Sequence, residues 1–416
     1  VKPQQEPVKT KVEIPESLYE LFRTEETGML LTGKSETLSR FSWQAGFGVK
    51  RSFTANESGP VFENLKAFFP AGNIVFGHFC YDVKNSVEKL SSAHYSGLDF
   101  PGAFFFIPEK TFDDRHEPVP GKKDNRPELL PGNFSGTIRL KERTSKEKYI
   151  SSVQALLGHI RRGDIYEINY CMEFYAEHVL IDPVAVFKKL DKLYEAPFSA
   201  LYKLKDQWLI CASPERFLKK DGTKIISQPI KGTRPRGKTP AEDEQLKKEL
   251  LKDEKERSEN VMIVDLVRND LSRSAKKGSV KVDELFGIYT FRPVHQMIST
   301  VSAELGENIH PVDAIKNAFP MGSMTGAPKI RAMELAEEFE DMKRGLYSGA
   351  IGYFTPEMDF DFNVVIRSIQ YNAATGYLSF MVGSAITVNA DPEKEYQECL
   401  VKARTLFEAL GLELKE

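Results

Sequence analysis

The chain has 416 residues, 41% apolar and 28% charged, which is ordinary for a soluble globular protein and long enough for two or three domains or one large one. Its net charge of −3 gives no global field favouring nucleic acid or an anionic membrane, and no apolar run approaches the ~20 residues needed to span a bilayer. Cys80, Cys171, Cys211 and Cys399 are scattered and form no CxxC pair, which argues against a zinc site or a disulfide framework and fits a reducing compartment. With a polar N-terminus that lacks an apolar signal core, the expected location is the cytoplasm.

Residues 1–15 read as a loose lead-in. Short apolar segments follow (Gly28 to Thr32, Asn73 to Tyr81, Ala103 to Pro108), consistent with strands. A Pro- and charge-rich stretch near 111–133 reads as a linker, so the expected division is an N-terminal region 1–140 and a catalytic domain 141–416. Beyond it, Thr144 to Arg162 has helical spacing, Ile165 to Phe174 alternates like a strand, and Pro183 to Leu193 is helical. Ser199 to Leu204 and Gln207 to Ala212 form a hairpin pair, and Ala241 to Val267 reads as one long charged helix. Leu346 to Tyr353, Asp361 to Tyr371 and Tyr377 to Val388 read as strands before a terminal amphipathic helix, Pro392 to Leu412. The mixture implies α/β or α+β without fixing the topology.

Several segments have residue types suited to chemistry. Lys231 lies between a β-type run (Lys224 to Gln228) and a glycine turn. It is either a surface turn lysine or a held one; desolvated near other cations, its pKa would fall and leave a nucleophilic amine. On the terminal helix, Glu395, Glu398 and Lys402 share one face. That face is either solvated or, if aimed inward, suited to a hard cation such as Mg²⁺. Glu259 borders the apolar run Val261 to Val267 and needs a lysine or a metal, while Asp265 is expected to pair with Arg268 or Arg273. Glu215, in Ser213-Pro214-Glu215-Arg216-Phe217, is presented at a strand end, where a salt bridge with Arg216 is the simpler use. The turn Phe319 to Lys329 enters a helix without P-loop spacing, and so is a carboxylate-binding turn or a plain cap. Arg367 follows apolar Val364-Val365-Ile366 and needs an anion, from a ligand or from the protein. His295 is a lone histidine, and most of these are structural.

In order, these segments resemble one family, the chorismate-utilising enzymes. The resemblance runs from about Lys141 to Leu412, with a fainter echo at Val75 to Asp82. It is carried by GDIYEIN (Gly163 to Asn169), SPERF, PIKGTRPRG, the SEN…DLVRNDLSR run, RPVHQMIST, FPMGSMTGAPK, YSGAIGY (Tyr347 to Tyr353), DFNVVIRS (Asp361 to Ser368), VGSAIT (Val382 to Thr387) and DPEKEYQECLVKAR. It implies an α+β fold: a large two-subdomain sandwich of antiparallel sheets flanked by helices. It implies chorismate as substrate and Mg²⁺ held by Glu259, Glu395 and Glu398. Arg367, Tyr353, Gly383 and Lys402 would grip carboxylates, and Thr325 and Gly326 match the family's anion-binding turn. Glu215 would protonate the departing C4 hydroxyl, with His295 near the ring.

Lysine in the PIxGT slot resembles the aminodeoxychorismate-forming branch, where this amine attacks ring C2 and ammonia then adds at C4. That implies 4-amino-4-deoxychorismate, on the route to 4-aminobenzoate and folate, as the product of Lys231 chemistry. The alternative is anthranilate formation. The strand Gly163 to Phe174 lacks the basic lysine of the water-adding branch, and Glu167 stands where glutamine is common. No Cys-His-Glu glutaminase arrangement is visible, so ammonia would come from a separate glutamine amidotransferase subunit.

Overall fold

The computed structural model describes residues 13–33, 38, 41–69, 72–115, 138–292 and 294–414. Most of the linker expected near 111–133 lies outside these residues. Its first part is the end of the strand Lys110–Asp113.

Two ten-stranded sheets, antiparallel throughout, make up the body. Alternation along the strands explains how they stack. Met29 and Leu31, Tyr202 and Leu204, and Leu209 and Cys211 of the first sheet share an apolar cluster with Phe76, Phe104, Phe106, Ile351 and Tyr353 of the second. Intervening residues face outward. Leu30, Leu201 and Ile210 join helices Lys146–Arg162, Pro183–Tyr194 and Pro392–Ala409. Val75, Phe105 and Phe354 pack on the side of helices Val61–Phe68, Glu254–Ser272 and Pro311–Ala318. A period of two with both faces apolar requires cover on both sides, and the result is helix, sheet, sheet, helix. The α+β sandwich expected from the sequence is the fold observed.

Residues before the linker are part of both sheets. Thr27–Thr32 pairs with Phe198–Leu204, and Val75–Phe79 pairs with Ala350–Phe354.

Two predicted elements divide. The long charged helix is two, Pro240–Lys252 and Glu254–Ser272. Asp253 is extended between them, and its carboxylate accepts from Glu256 N. An aspartate that caps a new helix ends the old one, although the charge pattern runs through. The strand expected over Asp361 to Tyr371 is Phe360–Val364 in the second sheet and Ser368–Asn372 in the first. Between them the chain changes sheets, and Arg367 takes a left-handed conformation, φ 52°.

Candidate active site

The chain also changes sheets at Pro214-Glu215, between Gln207–Ser213 and Arg216–Asp221. This crossover is tied to the one at Arg367: Val364 N donates to Glu215 O at 3.1 Å, and Ala212 N donates to Arg367 O at 3.1 Å. A cavity of about 620 Å³ opens beside them. Its walls carry Glu215, Lys231, Arg367 and Gly383, together with Glu259 from one helix and Glu395, Glu398 and Lys402 from the terminal helix. Residues far apart in sequence thus meet where the two sheets part.

Glu215 is buried, and burial pushes its carboxyl from 4.5 up to about 7, against the opposing pull of the Ser323 hydroxyl and the Lys231 ammonium. A carboxyl that keeps its proton near neutrality is equipped to act as an acid. Arg216 is not its partner; it pairs with Asp361 at 2.8 Å, and Glu215 has no salt bridge among the described residues.

Lys231 is largely enclosed, its side chain 11% exposed, but its neighbours are not the cations that would release its proton. Its Nζ donates to Glu167 Oε1 at 2.6 Å. Burial alone would lower its pKa; Glu167, Glu259 and Glu215 outweigh burial and hold the ammonium above its ordinary value. The sequence-based expectation of a lowered pKa is therefore corrected: acids surround this amine, and it rests protonated.

Glu259 and Glu395 face the same ammonium, that of Lys255, at 3.8 and 3.6 Å. Burial pushes Glu259 up to about 7 despite Lys231 and Lys255, and burial followed by the Glu398 charge raises Glu395. Glu259 Oε1 has no hydrogen-bond partner among the described residues. Among the described residues no three acidic, His or Cys side chains are gathered at ligating spacing. The donors nonetheless suit a hard cation: carboxylates from two helices, with one buried oxygen that has no hydrogen bond among the described residues. Lys402 bonds Glu398 at 2.5 Å and Gly383 O at 2.8 Å. Arg367 donates to Lys402 O at 3.1 Å and forms no ion pair among the described residues, which leaves its guanidinium available to an anion at the cavity wall.

Four expected site residues are not brought to this cavity. His295 is fully buried, its ring bonded to Thr290 Oγ1 at 3.0 Å and Asp243 Oδ1 at 2.8 Å. Its strand neighbours Val294 and Gln296 line the cavity, so alternation turns His295 to the opposite face. Tyr353 lies in the core between the sheets. Tyr347, before that strand begins, lines the cavity instead. The Thr325 hydroxyl is bonded within its own turn, to Met321 O and Gly322 O at 3.2 Å. Gly326, at φ 148°, lies where a Cβ would meet Glu167 O at 2.1 Å. These two residues hold the turn against Glu167–Ala176, and their neighbours Ser323 and Met324 reach the cavity. Asp265 pairs with Arg268 at 2.8 Å on an exposed face, as expected.

Sequence reasoning passed over Lys255, Ser323 and Tyr347. The first left a signal, since Lys255 and Glu259 are at i,i+4. The others lie inside quoted motifs, but Ser323 is in the short 3-10 turn Gly322–Met324 and Tyr347 precedes the strand Ala350–Phe354, so no strand alternation marks either as facing the cavity.

The sheets, their crossovers and the carboxylate-rich cavity define a class, and the comparisons agree with it. Residues 39–408 match the model of the chorismate binding enzyme family, and the chain belongs to that family. It is 35% identical over 371 residues, 84% of this chain and 79% of the relative, to anthranilate synthase component 1 of Thermus thermophilus. It is 37% identical to aminodeoxychorismate synthase component 1 of Bacillus subtilis, over 72% of this chain and 62% of that protein. It is 41% identical to aminodeoxychorismate synthase of Streptomyces griseus, over 70% of this chain and 40% of that one. Among solved structures, anthranilate synthase component I from Streptococcus pneumoniae superposes with a TM-score of 0.74 at 24% identity, covering 97% of this chain and 94% of that one. The protein is thus a chorismate-utilising enzyme that resembles component 1 of aminodeoxychorismate synthases as well as anthranilate synthases. No helix among the described residues is long and apolar enough to cross a membrane.

Proposed function

We propose that the enzyme aminates chorismate at C4 to give 4-amino-4-deoxychorismate, through a covalent bond to Lys231. The observation that carries this reading is a largely enclosed lysine in the same cavity as a carboxyl whose pKa is about 7. Arg367 takes one substrate carboxylate bidentately. Lys231 Nζ bonds to ring C2, the ring double bonds shift, and the C4–O bond breaks. Glu215 gives its proton to the departing oxygen, which leaves as water. Ammonia then bonds to C4, the shift reverses, and Lys231 departs as an amine. The new ammonium group returns a proton to Glu215.

Mg²⁺, held by Glu259, Glu395 and Glu398, would supply charge compensation at a substrate carboxylate. It would replace the Lys255 ammonium as their counter-charge. Ammonia would come from a separate glutamine amidotransferase, a reading supported by the name component 1 in similar proteins. The product would feed 4-aminobenzoate and folate synthesis. The identity to the Thermus protein favours anthranilate formation as the second reading.

Mass identification of the product from chorismate, Mg²⁺ and ammonium decides between them. The expected product is 4-amino-4-deoxychorismate; anthranilate would select the second reading.

A further inference from the structure

The amine used in the proposed reaction is stored as an ammonium. Lys231 Nζ is 2.6 Å from Glu167 Oε1. Glu167 is 1% exposed, and its second oxygen, Oε2, has no hydrogen-bond partner among the described residues. Buried polar atoms are normally satisfied, so the idle oxygen is an acceptor left open within reach of the ammonium.

Other charges face Lys231 from the elements around it: Glu215 from the sheet crossover, Glu259 from its helix and Glu398 from the terminal helix. Lys255 stands beyond Glu259. Of these groups only Glu167 forms an ion pair with Lys231 among the described residues. Glu215 is occupied with the leaving oxygen, and Glu259 and Glu398 are assigned to the cation. The strand that carries Glu167 is held in place, because Gly326–Ala327 pairs with Ile168 and Glu167.

We propose that Glu167 is a catalytic residue, the base that takes the proton from Lys231. One Nζ–H bond breaks, the proton moves to the Glu167 carboxylate, and the freed lone pair bonds to C2. When ammonia has added and Lys231 departs as a neutral amine, Glu167 returns the proton, and the ion pair is restored. No proton is exchanged with solvent in this half of the cycle. The inference rests on the covalent role of Lys231 proposed above.

An internal transfer makes the reactive fraction of amine independent of bulk pH. With Mg²⁺ kept saturating at each pH, so that protonation of the cation's carboxylates does not limit turnover, wild-type kcat is therefore flat between pH 5 and 7 and falls as Glu215 ionises. In Glu167→Gln the lysine must lose its proton to solvent. Its kcat then rises about tenfold per pH unit below pH 7, with KM unchanged. The pH at which trinitrobenzenesulfonate half-modifies Lys231, located by peptide mass, also falls in this variant because the paired charge is gone.

A flat kcat profile or an unmoved modification midpoint in Glu167→Gln overturns the assignment. So does a wild-type kcat that, at saturating Mg²⁺, climbs tenfold per pH unit between pH 5 and 7, and this measurement needs no variant. Lys231→Ala separates the two readings. Full turnover to the same product in Lys231→Ala defeats the covalent step itself. An inactive Lys231→Ala beside a flat Glu167→Gln profile defeats only the base.

Discussion

Replacing Glu215 with glutamine keeps the shape of the side chain and removes its acid. Two effects follow, of opposite sign. The carboxyl has a folded-state pKa of about 7 against an ordinary 4.5. The folded protein thus holds this proton more tightly than the unfolded chain does. That contribution is fully present below pH 4.5 and is lost as pH rises toward 7, after which the difference corresponds to roughly 3 kcal/mol. A neutral amide avoids this loss. Glu215→Gln should therefore melt at about the wild-type temperature at pH 5 and several degrees above it at pH 8.5. Turnover should fall roughly 10²–10³-fold, the usual loss for a single positioned acid or donor. Calorimetry at the two pH values, with product formation followed by mass, reads both effects. A melting difference that does not change with pH would refute the buried-acid argument.

Arg367→Lys keeps the charge but loses the bidentate fork, so KM for chorismate should rise about 10-fold or more with a smaller change in kcat. Lys255→Met removes the ammonium that now bridges Glu259 and Glu395; Mn²⁺ affinity, read by electron paramagnetic resonance, should rise several-fold, and an unchanged affinity would contradict the proposed cation site. His295→Gln should leave kcat near the wild-type value, since the ring faces away from the cavity, while loss of its buried bonds lowers stability by about 1–3 kcal/mol in denaturant titration. Arg344 pairs with Glu340 at 2.6 Å and donates to Met324 O and Asn169 O behind the cavity, so Arg344→Met should destabilise the fold by about 3–5 kcal/mol in the same titration.

Much of this was legible in the sequence because the carriers are local. Apolar alternation marked the strands, and the ordered motifs identified the residues that meet at the cavity: Lys231, Glu215, Arg367, Gly383, Lys402 and the three glutamates. What was not legible depends on parity and on long-range neighbours. His295 and Gln296 are adjacent, and only the strand's start decides which faces the cavity. Tyr353 and Tyr347 belong to one motif, and the first, on a strand of the second sheet, is turned into the core against the first sheet. The charge of Lys231 is set by Glu167, 64 positions away, and no local pattern shows that an acid rather than a cation sits beside it. The helix break at Asp253 is a matter of capping, which the charge pattern hid.

The account depends most on a bond between Lys231 and the substrate ring. Chorismate and Mg²⁺ are mixed with the enzyme without ammonia, quenched in acid and analysed by peptide mass. A chorismate adduct lacking one water, located on the peptide that contains Lys231 and absent from Lys231→Ala, is the predicted result. Turnover to the aminated product on addition of ammonium, with no such adduct at any time before it, would contradict the account.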